Sequence, residues 1–258
     1  MNVTAKGLMK FDFDQSLDDY LQGANETAAL LLASNHAYRR AVDEAYTFFV
    51  RDLFFGESSM RPTAAFLAAN AFMLWLASVR VAATGHAVAA YPLFRVALES
   101  ACYGFITQYD DAKEEIWRNR DDDEDAAKRC RKALTSAVKD AADIMNQRQP
   151  GIGDGVYEGY QHAIDFGAHP NARSIFNHVR FPESQEENGD VRASLSTLGQ
   201  PTHLEVRRAL LASLEYAFLI GTVIVHALPE ATQDQADSLK KILTAQEEFI
   251  ASWDHEDA

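Results

Sequence analysis

The sequence contains few residues that break helices or form disulfides. Its 258 residues include 13 glycines, 7 prolines and 2 cysteines, which is little turn-forming material for a fold of many short strands. Apolar residues recur at helical spacing along most of the chain, so we expect a mostly α-helical protein. Cys102 and Cys130 lie within these helical patterns. They are predicted to be buried thiols in a reducing compartment rather than a disulfide.

The sequence also contains few basic residues relative to acidic ones. With 24 Lys and Arg residues against 38 Asp and Glu residues, the formal net charge is −14. An acidic surface repels phosphate backbones, so broad nucleic-acid binding is disfavoured, although a small basic pocket is compatible with it. The opening segment, MNVTAKGLMKFDFDQ, is too polar for a signal peptide. We therefore expect a cytoplasmic protein.

Long apolar runs without a polar interruption are lacking as well. Two runs, at 62–79 and 209–228, approach the roughly 20 apolar residues that a membrane span requires. Asn70 interrupts the first run, and Glu215 and His226 interrupt the second. Because a charge inside a membrane helix is costly, both runs are predicted to be central helices of a soluble bundle. No membrane partner is expected.

The periodicity predicts one helical domain over residues 1–258. We expect an all-α, up-and-down bundle of seven to nine helices, with frayed tails at 1–12 and 253–258. Apolar residues alternate with polar ones in SIFNHVRF (174–181) and again in the segment at 190–198. This alternation predicts one small β-hairpin, inserted before the penultimate long helix.

Capping signals predict several helix ends. Asn25 is predicted to cap a long helix that ends near Gly56. Thr202 and Glu205 have the spacing of a capping box at the start of the penultimate helix. One continuous amphipathic helix after the acidic run at 121–125 is predicted from a shared apolar stripe, made of Cys130, Leu134, Val138, Ala141 and Met145.

The candidate site begins with charged residues inside an otherwise apolar helix. Arg95 and Glu99 are four residues apart, so their side chains face the same side of that helix. A charge removed from water must be paired, which allows a salt bridge that only fixes helix packing. It also allows a polar cleft in which Arg95 binds a small anionic ligand while Glu99 orients it or acts as a base.

The second part of the candidate site is the stretch DFGAHPNARSIFNHVRF at 165–181. His169 lies between a predicted helix stop at Gly167 and Pro170, a common position for functional side chains. One turn earlier, His162 and Asp165 share a helix face. Three ligand-type residues within eight positions suggest a metal site, but no H-E-x-x-H motif and no nearby cysteine supports it. We expect no metal and no cofactor.

Two segments match the R-x4–6-H pattern of the helical RNase domains of bacterial toxins. They run from Arg173 to His178 and from Arg80 to His86. About 1.5 such matches are expected by chance in a chain of this composition, so the pattern carries little weight. The chain also lacks a G-x-S-x-G elbow, a P-loop, a dinucleotide-binding fingerprint and a C-x-x-C pair. Common hydrolase, kinase and dehydrogenase functions therefore have no motif to support them.

The runs AATGHAVAAYPLFRVALESACYGFITQYDDAKEEIWRNR (82–120) and DFGAHPNARSIFNH (165–178) resemble a broad family of bacterial helical proteins of unknown function. Its members carry a glycine before an A-x-x-L-x-R-x-x-x-E helix and, much later, an [ST]-x-x-x-H-P loop. The matching positions are Gly85, Leu93, Arg95, Glu99, His169 and Pro170, with Gly167 near where the family often has Ser or Thr. The resemblance implies a helical domain in which Arg95, Glu99 and His169 lie close together. It assigns no reaction, although some members resemble proteins encoded near mobile or defence genes.

Two functions are compatible with these residues. The first is a module that binds a partner or a small anionic ligand, with Arg95, Glu99 and His169 forming its pocket. The alternative is a nuclease or hydrolase of a defence or toxin–antitoxin system, with His169, Arg173 and Glu99 at its site. The polar groups could also serve architecture alone. We expect a homodimer because apolar helix surface is in surplus, and the sequence leaves open whether the protein is an enzyme.

Overall fold

The computed structural model describes residues 9–12, 15–55, 59–168, 175, 179–180 and 191–256. The fold is an all-α bundle, as the sequence predicts. Two π-helical turns, Phe48–Leu53 and Ile164–Ala168, extend the second and the eighth helix. The α-helices within the described residues are α1 Leu17–Ser34, α2 His36–Thr47, α3 Pro62–Ala83, α4 Ala87–Tyr109, α5 Asp111–Arg118, α6 Glu124–Leu134, α7 Ala137–Arg148, α8 Ile152–Ala163, α9 Leu204–Ala227 and α10 Gln233–Glu256.

Three short strands form a small sheet beside the helices. They are β1 Met9–Asp12, β2 Val179–Arg180 and β3 Val191–Leu195, in the order β1-β3-β2. β2 pairs antiparallel with β3, which confirms the predicted hairpin pairing. β1 pairs parallel with β3, with Met9 opposite Val191.

The predicted frayed tails are too long at both ends. Met9–Asp12 belong to the sheet, and α10 continues to Glu256. The pairing of β1 with β3 joins segments that are far apart in the sequence. Apolar and polar residues alternate in MKFD (9–12), which is a strand pattern that the prediction of a frayed tail did not use.

The core lies between α3, α4 and α9. α3 and α4 are joined by the short corner Thr84–His86, and α9 packs against both helices. Phe94 of α4 and Tyr216 of α9 stack with their ring centroids 4.7 Å apart. Cys102 and Cys130 are buried free thiols, as predicted, and burial raises the pKa of both. The largest fully buried side chains include Trp75, Tyr38, Phe48, Phe49, Phe94, Phe105 and Phe249.

The two apolar runs differ in how deeply they are buried. Pro62–Ala83 and Leu204–Ala227 are both long and apolar enough to cross a membrane by length and composition, with mean hydropathy values of 1.6 and 1.7. The most apolar window of α9 is 72% buried inside the bundle, whereas the most apolar window of α3 is only 33% buried. α9 is thus a central helix, as predicted, whereas α3 keeps an exposed apolar side.

Several helix ends differ from the predictions because local caps decide them. Ser16 and Asp19 form a capping box that starts α1. Asn25 lies inside α1, and the break comes at Asn35, whose side chain accepts a hydrogen bond from the Tyr38 backbone N–H at 2.9 Å. The predicted long helix from Asn25 is therefore two helices, and its expected end at Gly56 lies outside the described residues.

Two further helix predictions are wrong in detail. The stripe that begins at Cys130 is buried, but a break at Thr135 and Ser136 divides it between α6 and α7. At the start of α9, His203 is the N-cap and no side chain caps the helix, so the capping box from Thr202 to Glu205 does not form. Instead, His203 Nδ1 accepts a hydrogen bond from the Gln200 backbone N–H at 3.1 Å.

Candidate functional site

Arg95 and Glu99 form the salt bridge that their spacing predicts. Arg95 Nε lies 2.9 Å from Glu99 Oε1, and both side chains are about three-quarters buried. Tyr160 of α8 completes the cluster, because its hydroxyl lies 3.3 Å from an Arg95 Nη atom and its ring lies under the guanidinium. Burial opposes the charge on Arg95, but the hydrogen bond and the charge of Glu99 outweigh it and raise the Arg95 pKa. An anion at this place would have to compete with Glu99.

His162 and Asp165 lie further along α8 and its π-helical turn. Both side chains are exposed. His162 Nε2 is 3.8 Å from Glu158 Oε1, and its ring meets the ring of Phe166 edge-on. His162 is two positions from Tyr160, and residues with that spacing do not face the same side of a helix. By this spacing, His162 faces a different side of α8 from Tyr160, which contacts Arg95.

His169 and Arg173, together with Pro170 and His178, lie outside the described residues. The described segment before His169 ends at Ala168, and this segment packs against the first turns of α4. Phe166 stacks on Tyr91 with ring centroids 5.5 Å apart, and a Cβ at Gly167 would overlap the Val88 carbonyl. Tyr91 is one helical turn from Arg95. The proximity of Arg95, Glu99 and His169 stays a prediction.

A different histidine, His86, occupies the corner between α3 and α4. The corner is tight because Gly85 adopts a φ of +86°, which favours glycine, and its carbonyl accepts a hydrogen bond from Gly199 N–H at 2.9 Å. His86 Nε2 lies 2.7 Å from the Tyr20 hydroxyl of α1. His86 Nδ1 lies 2.7 Å from Thr84 Oγ1. Both ring nitrogens are thus engaged, Nε2 by a side chain of α1 and Nδ1 by a side chain of the corner itself.

The hydrogen positions in this chain follow from the Thr84 hydroxyl. It has one hydrogen, and it donates that hydrogen to the Val81 carbonyl at 2.8 Å. Thr84 Oγ1 must therefore accept from His86, which places the ring proton on Nδ1. Nε2 is then an acceptor, so the Tyr20 hydroxyl is the donor between Tyr20 and His86. The chain runs in one direction, from Tyr20 through His86 and Thr84 to the backbone.

Tyr20 and His86 line a cavity of about 620 Å³. This volume falls within the range of small-molecule sites in proteins. Most of the lining surface is apolar. The cavity is bounded by the start of α1, by the α3–α4 corner and by the chain after β3, through the residues Gln15, Ser16, Leu17, Tyr20, His86, Leu195, Ser196 and Thr197.

The sequence drew attention to His86 but not to the residues that join it at this site. A histidine directly after a glycine helix stop was visible at Gly85 and His86, but its only pattern match was the weak R-x4–6-H motif. Tyr20 is 66 positions away, and no spacing rule connects the two. The third wall, near Leu195, depends on strand pairing that the periodicity predicted only in part.

Comparison with models of protein families, with curated proteins and with solved structures gave no match. The resemblance to a bacterial helical family therefore stays a prediction. In the stretches of chain that the structure describes, no group of three or more His, Cys, Asp or Glu side chains is placed to hold a metal ion.

Proposed function

We propose that this protein is a small-molecule-binding module and that the cavity beside His86 is its binding site. One observation carries the proposal: a hydrogen-bonded Tyr20–His86–Thr84 chain with fixed direction stands at the wall of a mostly apolar cavity. Binding sites for small molecules combine such an apolar cavity with a few well-placed polar groups.

A purely structural role for the same contacts is the main competitor. The hydrogen bond from Tyr20 to His86 also connects α1 to the α3–α4 corner, and a part-buried hydrogen bond of that kind stabilises a fold without any ligand. The cavity distinguishes the two roles, because a tie between helices does not require open space beside it. Filling that space should abolish ligand binding and leave the hydrogen bonds intact.

Binding is preferred to the nuclease or hydrolase alternative because that alternative needs Glu99 at its site, and the Glu99 carboxylate is held by Arg95. His169 and Arg173, the other two residues of the alternative, lie outside the described residues. The anionic ligand predicted for Arg95 stays a prediction, because Arg95 is already paired with the Glu99 carboxylate. The His86 cavity, in contrast, is lined on three sides by residues that the structure describes.

n-Octanol is a suitable probe because it combines an apolar chain with one polar group. Saturation-transfer NMR and a titration followed by protein chemical shifts would measure its binding. We expect binding to the unmodified protein and its loss in Leu195→Trp, which fills the cavity. Leu243→Trp on α10 is the matched control, because Leu195 and Leu243 are exposed to similar extents, 38% and 36%. Equal octanol binding by both variants would refute the proposed site.

A further inference from the structure

We infer that the cavity beside His86 selects ligands that donate a hydrogen bond, namely mostly apolar molecules that carry a hydroxyl or an N–H group. This inference rests on the proposed binding function and specifies the chemistry of its ligand. It follows from where the hydrogens of the lining hydroxyl groups go.

The Tyr20 hydroxyl offers the cavity an acceptor. Its single hydrogen is donated to His86 Nε2 at 2.7 Å, because the proton on the other ring nitrogen is fixed by Thr84. The lone pairs of the Tyr20 oxygen are what remains for a ligand. The chain from Tyr20 to the backbone thus ends, in a residue that lines the cavity, at an oxygen that can accept a hydrogen bond and cannot donate one.

The other hydroxyl groups among the described lining residues also donate their hydrogens to the protein. Ser16 Oγ donates to Asp19 Oδ2 at 2.6 Å, Ser196 Oγ donates to the Leu198 carbonyl at 3.1 Å, and Thr197 Oγ1 donates to Gln15 Oε1 at 2.7 Å. Each of the four hydroxyl groups among the described lining residues gives its hydrogen to the protein. The Gln15 side-chain amide is the exception, because its NH₂ group can donate to a ligand.

A wall of this kind discriminates between ligands of the same size. A hydroxyl or an N–H group on the ligand satisfies a lone pair, whereas an ether oxygen or a carboxylate brings lone pairs against lone pairs. A carboxylate is disfavoured further by the net charge of −14. One hydrogen bond in a partly open site contributes only modestly to the binding free energy. We therefore expect a ligand with a donor group to bind about three- to tenfold more tightly than a ligand of the same size without one.

The test compares n-octanol with its isomer methyl heptyl ether, which has the same atoms but no hydrogen to donate. Chemical-shift titrations give both dissociation constants for the unmodified protein, for Tyr20→Phe and for Tyr46→Phe. The last variant is the matched control, because Tyr46 is an exposed tyrosine on α2 that does not line the cavity. Melting curves check that each variant is folded.

We expect the alcohol to bind about three- to tenfold more tightly than the ether, and this preference to disappear in Tyr20→Phe but not in Tyr46→Phe. Equal binding of the two isomers to the unmodified protein would overturn the inference and leave the proposed function standing. The same holds if the preference survives in folded Tyr20→Phe. Failure of both isomers to bind, or binding that Leu195→Trp does not reduce, would overturn the proposed function and this inference together.

Discussion

Tyr38 is a fully buried tyrosine of α2, and its hydroxyl lies 3.0 Å from Ser213 Oγ on α9. Ser213 Oγ donates its own hydrogen to the Leu210 carbonyl at 2.6 Å, so Tyr38 is the donor between the two side chains. Burial raises the pKa of Tyr38 far above its ordinary value, and the hydrogen bond to Ser213 offsets only part of this effect. The tyrosine therefore remains a neutral donor.

Ser213→Ala should lower the free energy of unfolding by about 1–3 kcal/mol, because it leaves the Tyr38 hydroxyl as a buried donor without this acceptor. Tyr38→Phe should cost about 0.5–1.5 kcal/mol, since it removes the donor and leaves Ser213 bonded to Leu210. In the double variant, Ser213→Ala should add little to the cost of Tyr38→Phe. Urea unfolding of the four proteins measures this cycle. Additive costs would contradict the interaction between the two side chains, and a larger cost for Tyr38→Phe than for Ser213→Ala would contradict the assigned hydrogen-bond direction.

Glu215 on α9 makes stability depend on pH. Its surface is partly exposed, but desolvation by its neighbours raises the pKa of its carboxyl group above 4.5, and the charge of His162 offsets part of this rise. The folded protein thus favours the protonated carboxyl. A raised carboxyl pKa means that stability falls as the pH increases from the ordinary pKa through the raised one.

Glu215→Gln removes the charge that the fold disfavours. We expect it to raise the free energy of unfolding at about pH 8 by roughly 0.3 kcal/mol, a small gain because the carboxylate still reaches water. Well below pH 4.5, where the carboxyl is protonated in both states, the gain should vanish. Urea unfolding across a pH series measures both regimes, with Glu247→Gln on exposed α10 surface as the control. A gain that persists at low pH would contradict the assignment.

Residue contacts could be predicted only where they are local in sequence. Arg95 and Glu99 are four apart on one helix, and helix geometry alone brings them together. Tyr160 joins them from another helix, and Tyr20 joins His86 across 66 positions. Such pairs depend on how helices are arranged in space, which apolar periodicity does not specify.

At the scale of elements, α8 approaches α7 closely at one glycine. A Cβ at Gly153 would overlap the backbone carbonyl of Ala142, so the crossing of the two helices requires a residue without a side chain there. Two positions further along α8, no described atom lies within 4 Å of a Cβ at Gly155. The same helix therefore offers a site that needs glycine and a site that does not.

Gly153→Ala should lower the free energy of unfolding by about 1–3 kcal/mol, because α8 must shift away from α7. Gly155→Ala should raise it by about 0.5–1 kcal/mol, because alanine is the better helix former and meets open space. Thermal or urea unfolding of both variants gives the comparison. Equal effects of the two substitutions would show that helix propensity, and not the crossing, decides the outcome at Gly153.

Helices were predictable as elements and their breaks were not. The apolar stripe through Cys130 and Met145 is real, but its phase continues smoothly across Thr135 and Ser136, where the helix stops. The break at Asn35 was equally hard to predict, because in the sequence a capping side chain resembles any polar residue on an exposed helix face. Apolar periodicity reports which side of a helix is buried, whereas single side-chain hydrogen bonds decide where it ends.

At the scale of the whole molecule, the acidic chain carries one apolar face without acidic residues. Phe66 and Met73 on α3 are 70% and 62% exposed. Every exposed residue of α3 falls on the same stripe, which consists of Pro62, Phe66, Asn70, Met73, Ala77 and Arg80. With a net charge of −14, two copies of this chain repel each other over most of their surfaces. This stripe is a face on which they can meet without adding carboxylate repulsion.

The predicted homodimer should therefore form through α3. Sedimentation velocity over a concentration series should show a dimer for the unmodified protein, and Phe66→Glu should shift it to the monomer, because it buries a charge against an apolar partner surface. Phe55→Glu is the matched control, since Phe55 is 84% exposed but lies outside α3. Raising the salt concentration should strengthen the dimer by screening the repulsion between the acidic surfaces. A chain that stays monomeric at every concentration and salt level would rule out the homodimer, and a dimer insensitive to Phe66→Glu would place its interface elsewhere.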